Sequence, residues 1–322
     1  MKTIGIMTSG GDAPGMNACI RAAVRTALAN DLTIYGIKYG YDGMIRGEFE
    51  QLDRKLVANI IHQGGTILGT ARSAEFMTKE GRAKAIDNLN RADIEGLILV
   101  GGDGTFRGGT ALSDECGIKI IGVPGTIDND VYGTDYTIGF DSAVCCAVQA
   151  IDRIRDTALS HDRVFFIEVM GRHTGFIAME SGLAGGVEEL MIPEYPLSID
   201  DLSSRLIKSF SGGKKNAIIV VAETGQPGDS FRIAQEVRGK TGMDNRVCIL
   251  GHLQRGGSPT PRDRILASRL GAAAVNALIE GKTACMVGEI NHEISYIPIE
   301  DTWNKGKHLR RELEELSELL SW

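Results

Sequence analysis

The chain has 322 residues, 43% apolar and 24% charged, with 41 glycines and a formal charge of −7. That length is too great for one growing core and suits two domains or one large one, and the composition is that of a folded chain rather than a disordered one. The negative charge gives no electrostatic case for nucleic acid, and no uncharged apolar run approaches membrane-spanning length, so neither partner is expected.

Residues 3–7 predict a strand that begins almost at Met1, with no long apolar region or cleavage site of a signal peptide. Thr8-Ser-Gly-Gly-Asp-Ala-Pro-Gly15 follows, and Met16, Ile20, Val24 and Leu28 then recur at helical spacing. Strand, glycine-rich turn and helix in that order form an anion-binding corner, because the turn exposes N–H groups and the helix adds its positive end. A strand over 32–38, a loop over 39–43, a short helix over 56–61 and the glycine-punctuated stretch 64–72 are expected next. A helix through 84–89 leads to the uninterrupted apolar strand 96–100, then to Gly101-Gly-Asp-Gly-Thr105, another helix, and a strand ending at Val123.

Beyond Pro124-Gly-Thr-Ile-Asp-Asn-Asp130 the pattern gives a helix over 141–158, a strand over 164–170 and a helix reaching Gly185-Gly186. Strands over 189–192, 217–222 and 247–251, helices over 200–210 and 263–279, two short strands near Met286 and Ile297, and a charged amphipathic tail over 305–320 complete the chain. Repeated alternation of buried strands and helices implies parallel sheets covered on both faces. The six cysteines, at 19, 116, 145, 146, 248 and 285, lack metal-site spacing and read as buried thiols of a reducing compartment.

Three loops concentrate chemistry. Residues 124–130 place two carboxylates and a hydroxyl where a buried strand ends, which is where α/β sheets bind ligands; an Asx-rich turn bonded to its own backbone is the rival reading. In Gly101–Thr105 the glycines let a phosphate or base approach the backbone, and Asp103 suits a divalent cation. Gly102, Gly104 and Gly108 only imitate a dinucleotide fingerprint, and the Lys240-Thr241 and Lys282-Thr283 pairs make no P-loop because Ala234 and Asn276 stand at key glycine positions. Arg21 and Arg25, one helical turn apart, either share an anion or form a solvated face. Arg163, Arg172, Arg246 and Arg255 together outnumber what one nucleotide requires and suggest a second phosphorylated substrate. His173 and His252 share glycine-rich loops with arginines but have no metal-ligand spacing.

The motifs Thr8–Asn17, Gly101–Gly104, Pro124–Asp130, Met170-Gly-Arg172 and Gly251-His-Leu-Gln-Arg-Gly-Gly-Ser-Pro259, in order and at this spacing, closely resemble the bacterial ATP-dependent 6-phosphofructokinases. The resemblance implies an α/β fold of two doubly wound domains with mostly parallel sheets and the active site in the cleft between them. Residues 1–138 plus 251–305 would bind ATP, and residues 139–250 plus 306–322 would bind fructose 6-phosphate. The implied reaction is magnesium-assisted transfer of the ATP γ-phosphoryl to the sugar 1-hydroxyl, a cytoplasmic step of glycolysis.

By the same resemblance Asp128 would be the base, with Gly11, Arg72, Thr126 and Arg172 stabilising the moving phosphoryl. Gly11, Tyr41, Arg72, Ser73, Gly102, Asp103, Gly104, Thr105 and Gly108 would line the nucleotide site, and Asp103 and Asp130 would serve Mg²⁺. Thr126, Asp128, Asp130, Met170, Gly171, Arg172, Glu223, His252 and Arg255 would hold the sugar phosphate, with Arg163 and Arg246 reaching in from a neighbouring subunit of a homotetramer. Arg21, Arg25, Arg54, Arg155, Glu188, Lys214 and Lys215 would form an effector site for ADP or phosphoenolpyruvate, weakened because Gly212 and Asn216 replace residues that are basic in some relatives.

Pyrophosphate-using relatives carry aspartate at position 104 and lysine at 125; both are glycine here, which favours ATP. Met77, at a position commonly basic in close relatives, predicts an altered ATP contact. The rivals are a pyrophosphate-dependent or other sugar kinase and, from another class, a non-catalytic nucleotide-binding regulatory subunit.

Overall fold

The computed structural model describes residues 1–160, 163–224 and 227–320. Its strands are β1 (Thr3–Thr8), β2 (Thr33–Ile37), β3 (Phe49–Gln51), β4 (Gly96–Gly101), β5 (Lys119–Pro124), β6 (Val164–Val169), β7 (Glu189–Met191), β8 (Ala217–Ala222), β9 (Asn245–Ile249), β10 (Cys285–Ile290) and β11 (Glu293–Pro298). Its helices are α1 (Met16–Ala29), α2 (Gly40–Arg46), α3 (Lys79–Arg91), α4 (Asp103–Cys116), α5 (Phe140–Ala158), α6 (Phe176–Gly185), α7 (Ile199–Ser211), α8 (Asp229–Thr241), α9 (Pro261–Ile279), α10 (Asp301–Asn304) and α11 (Arg311–Leu320). The chain divides into two compact units: unit 1 takes Met1–Ile127, Val131–Asp141 and Arg255–Lys307, and unit 2 takes Asp128–Asp130, Ser142–Gln254 and His308–Trp322.

Unit 1 is built on a seven-stranded sheet of order β11-β10-β5-β4-β1-β2-β3. Its central strands run parallel, and only the edges β3 and β11 are antiparallel to their neighbours. Parallel strands need covering on both faces, and β4 accordingly reads Gly-Leu-Ile-Leu-Val-Gly with every residue buried. The core collects Met7, Ile37, Leu99, Phe106 and Ile120 under α3 and α4. On the other side α1 lies close against α9: a Cβ on Gly271 would stand 2.5 Å from the Cys19 carbonyl oxygen, so glycine sets that approach. The order reverses at β1, since the chain leaves it for β2 and returns through β4 on the opposite flank. A crevice at the carboxyl ends of β1 and β4 is the binding place such a reversal provides.

Unit 2 repeats the scheme on a smaller scale, with four parallel strands in the order β7-β8-β6-β9. Val164, Phe166, Ile219 and Val221 face Leu202, Leu206, Ile233 and Val237 of α7 and α8 in its core. Here β6 is the strand at the reversal, with β8 on one flank and β9 on the other.

Several sequence expectations change. Residues 39–43, expected as a loop, mostly join α2: Tyr39 in a left-handed conformation turns the chain directly into it, and the glycines had hidden the helical pattern. The helix expected over 56–61 is a series of turns, because Asp53 Oδ1 accepts the amides of Lys55 and Leu56 at 2.7 and 2.8 Å and Asn59 takes a φ of 57°. Helix α8 was not anticipated; its buried face has only Ile233, Ala234 and Val237 among charged residues, with Ser230 buried at its first turn. The buried-thiol expectation holds for Cys19 alone, since Cys116 and Cys145 are exposed and the other three half-buried. An apolar neighbourhood in sequence misleads there because a helix turns consecutive residues to different faces. Among the described residues no helix is long and apolar enough to cross a membrane.

Candidate active site

In unit 1 the corner between β1 and α1 is shaped by the backbone. Gly10 and Gly15 take φ values of 90° and 106°, a region costly for any residue with a Cβ. Gly11 is exposed, and a Cβ there would stand 2.5 Å from Arg255 Nη1. That guanidinium donates to the Asp12 carbonyl at 3.0 Å, so Arg255 and the corner hold one another. The glycine-punctuated stretch is tied to the same corner: buried Asn17 donates to the Gln63 and Gly64 carbonyls at 3.2 and 3.1 Å and accepts the Ile67 amide at 2.8 Å. Thr8 Oγ1 donates to the Gly69 carbonyl at 2.9 Å, and the Thr70 hydroxyl donates to that of Gly10. These bonds bring the segment ending at exposed Arg72 to the corner. Asn17 belongs to the quoted motif, but nothing in the sequence marks it as the pin of a loop some fifty residues on.

The β4–α4 turn lies beside this corner. Ser9 N donates to the Val100 carbonyl at 3.1 Å, and Thr105 Oγ1 donates to the Ser9 carbonyl at 3.1 Å, coupling the two turns. Tyr41 is buried, stacks on Phe76 with centroids 3.9 Å apart, and donates its hydroxyl to the Thr105 carbonyl. Burial pushes its phenol far above its ordinary range, so it serves as a neutral donor. Gly108 packs on that ring, where a Cβ would meet it at 2.8 Å. By contrast a Cβ at Gly102 or Gly104 would meet no atom within 4 Å, so packing does not dictate glycine there and the space above the turn is open. Asp103 opens α4, where the helix's positive end favours a carboxylate, and Arg107 one turn on lies 4.0 Å from it. Ser73 Oγ lies 3.3 Å from Asp42 Oδ1 and accepts the Phe76 amide. Exposed Met77 follows in a short 3₁₀ turn.

At the end of β5, Gly125 donates to the Gly101 carbonyl at 2.9 Å, and the Thr126 carbonyl accepts the Thr137 hydroxyl at 2.6 Å. Asp128 is only 6% exposed, and Asn129 after it takes a φ of 54°, which asparagine tolerates. In unit 2 the Asp128 carbonyl lies 3.5 Å from Thr174 Oγ1, and Asp130 lies 3.9 Å from Arg172 Nη1. The 170–175 loop thus meets the carboxylate loop. It is a tight turn closed by the Thr174 amide on the Gly171 carbonyl at 2.9 Å. Arg172 sits in it at φ 59°, a left-handed conformation uncommon for a long side chain.

The remaining anion-binding candidates lie at strand termini of unit 2. Glu223 leaves β8 with its amide on the Val169 carbonyl at 2.8 Å, and half-buried Met170 leaves β6. Exposed His252 lies in the short 3₁₀ turn Gly251–Arg255. Arg163 and Arg246 converge on one carboxylate, Asp244, each at 2.8 Å. Burial opposes the Asp244 charge, and the guanidiniums of Arg246 and Arg163 outweigh it, holding its carboxyl below the usual range. Asp244 is two residues from Arg246 but 81 from Arg163, so only the fold shows that the two arginines share it.

Of the effector candidates, Arg155, Glu188 and Lys214 come together: Glu188 lies 3.8 Å from Arg155 and 3.0 Å from Lys214, and it accepts the Ile218 amide. Arg155 also donates to the Gly185 and Gly186 carbonyls. Lys215 is exposed beside them in sequence, while Arg21, Arg25 and Arg54 belong to unit 1. Among the described residues no cluster of three or more His, Cys, Asp or Glu side chains could hold a metal. One or two carboxylates with phosphate oxygens and water suit Mg²⁺, and Asp103 offers such a ligand beside an open turn.

The chain matches the family described as Phosphofructokinase over residues 3–278. It is 57% identical over 321 residues, covering all of both chains, to the ATP-dependent 6-phosphofructokinase 1 of Thermus thermophilus. It is 51% identical over 322 residues to the ATP-dependent 6-phosphofructokinase of Cytophaga hutchinsonii, covering 98% of that protein. Among solved structures, phosphofructokinase from Saccharomyces cerevisiae superposes with a TM-score of 0.87 at 34% identity, over 99% of this chain and 47% of that one. The family match over residues 3–278 and the identity over the full length point the same way: the chain is a member of the phosphofructokinase family.

Proposed function

We propose that the protein is an ATP-dependent 6-phosphofructokinase, converting fructose 6-phosphate and ATP to fructose 1,6-bisphosphate and ADP. The observation that carries this reading is the full-length likeness to proteins of that name, at 57% identity. Asp128 accepts the proton of the sugar 1-hydroxyl, whose oxygen forms a bond to the γ-phosphorus as the bond to the bridging oxygen of ADP breaks. Its shielding from solvent supports that role, since a nearly buried carboxylate meets a sugar hydroxyl without competition from bulk water. Gly11, Arg72, Thr126 and Arg172 stabilise the phosphoryl in transit, Gly11 through its exposed backbone. Asp103, with Asp130 assisting, would hold Mg²⁺, which would supply charge neutralisation at the phosphates.

The adenosine and inner phosphates lie against Gly102, Gly104, Thr105 and Gly108, with Tyr41 and Ser73 bordering them. The sugar phosphate is held by Met170, Gly171, Arg172, Glu223, His252 and Arg255. Arg163 and Arg246 act on the site of a neighbouring subunit in a homotetramer, and their shared hold on Asp244 supports their moving as a pair. The Arg155–Glu188–Lys214 cluster, with Lys215, is the centre of an effector site for ADP or phosphoenolpyruvate at a subunit boundary, to which Arg21, Arg25 and Arg54 also belong. Six free cysteines accord with a reducing compartment, and the cytoplasm is the proposed location.

ATP rather than pyrophosphate is the donor, because the open space at Gly104 admits a side chain and the chain leaves it empty. A coupled assay with Mg²⁺ and fructose 6-phosphate is expected to show turnover with ATP and little with pyrophosphate. Equal rates with both donors would overturn the glycine argument, and no turnover with either would favour a regulatory subunit.

A further inference from the structure

Strand β6 is wholly buried and apolar except for Glu168, which is 1% exposed. A carboxylate in such a place must be heavily hydrogen-bonded to stay charged. Its Oε1 accepts the Gly228 amide at 2.8 Å, and its Oε2 accepts the amide of Ser230 at 3.1 Å and the hydroxyl of the same residue. These groups open α8, where Gly228 provides no side-chain cap, so a side chain from the sheet does the capping. The same residue's carbonyl accepts the Leu250 amide at 3.0 Å, immediately before the Gly251–Arg255 turn. Next to it, the Val169 carbonyl accepts the Glu223 amide. One residue of the central strand is therefore bonded to the start of the helix that follows Glu223 and to the residue preceding the His252 turn.

We propose that Glu168 is a positioning residue for fructose 6-phosphate: its side chain fixes the start of α8, the helix that follows Glu223, and its carbonyl holds the residue before the His252 turn, without touching the sugar. This rests on the reading of those two residues as sugar-phosphate ligands. A general structural role predicts a loss shared by both substrates, or a loss of folded enzyme. A positioning role predicts a loss confined to the sugar, because ATP contacts come from elements that Glu168 does not hold.

The test measures KM for each substrate, kcat and thermal midpoint in Glu168→Gln, Ser230→Ala and Glu223→Gln. Glu168→Gln keeps the shape but sets an amide N–H against backbone donors, so KM for fructose 6-phosphate is expected to rise about tenfold, with KM for ATP unchanged. Ser230→Ala removes one of three bonds and should move the same constant two- to threefold, which preserves the test if the glutamine variant does not fold. Hydrogen exchange at residues 228–230 should quicken in Glu168→Gln, and that at Leu250, held by the main-chain carbonyl, should stay as it was. If Glu223→Gln raises KM for the sugar while neither of the other variants does, the positioning role is overturned and the ligand assignment stands. If Glu223→Gln leaves that constant unchanged, the ligand assignment fails and the positioning role falls with it.

Discussion

On the proposed reading the two units would meet anions by different means. Unit 1 offers backbone: the β1–α1 and β4–α4 turns are shaped by Gly10, Gly11 and Gly15 and braced by Asn17 and Thr105, with open space over Gly102 and Gly104. Unit 2 offers charge already matched within the protein: Arg163 and Arg246 to Asp244, Arg155 and Lys214 to Glu188, Arg172 to Asp130. A backbone cradle needs no rearrangement and is lost when a side chain fills it. Paired cations must exchange a carboxylate partner for a phosphate, which makes their affinity adjustable through the carboxylate. On the proposed function the contrast would pair a fixed nucleotide seat with an adjustable sugar site.

The largest effect should come from the proposed base. Asp128→Ser is expected to lower kcat by about 10²–10⁴-fold, with KM for both substrates changed little, measured by coupled assay. Normal turnover would remove the base from Asp128.

Substitutions of glycine sharpen the contrast next. Gly11→Ala drives a Cβ into Arg255 and should lower kcat/KM for ATP by about 10²-fold, the scale of losing one preorganised donor. Gly104→Asp meets no neighbour, so the variant should keep its thermal midpoint while KM for ATP rises. A fall in stability with unchanged KM would show that the open space is not a binding space.

The smallest effect concerns the matched charges. Asp244 has a folded pKa below its unfolded value, so its contribution to stability is present above the unfolded value, near pH 4, and fades as pH falls through the folded one. Asp244→Asn should therefore reduce the thermal midpoint slightly at pH 6 and not at all near pH 2. The same variant releases Arg163 and Arg246, so KM for fructose 6-phosphate should change at neutral pH, where a backbone seat would not respond.

Much of this protein was legible along the chain, because parallel strands buried on both faces announce themselves as uninterrupted apolar runs, as at 96–100 and 217–222. The ligand loops were legible for the same reason: polar, glycine-rich segments follow those runs directly. Local turn chemistry was less so, since the Asx turn at Asp53 competes with the helix that Leu56 to Ile61 suggests, and the glycines of α2 conceal a helix. Residue types and spacing by themselves determined the strands, the loops at their ends and the resemblance that gives each loop a task. Only the tertiary structure decided which groups answer one another: Asn17 pinning Ile67, Asp244 between two arginines, Glu168 beneath α8. Asp244 and Arg246 aside, such pairings join residues fifty or more positions apart, and spacing along a chain carries no trace of a contact that only the folding of the chain creates.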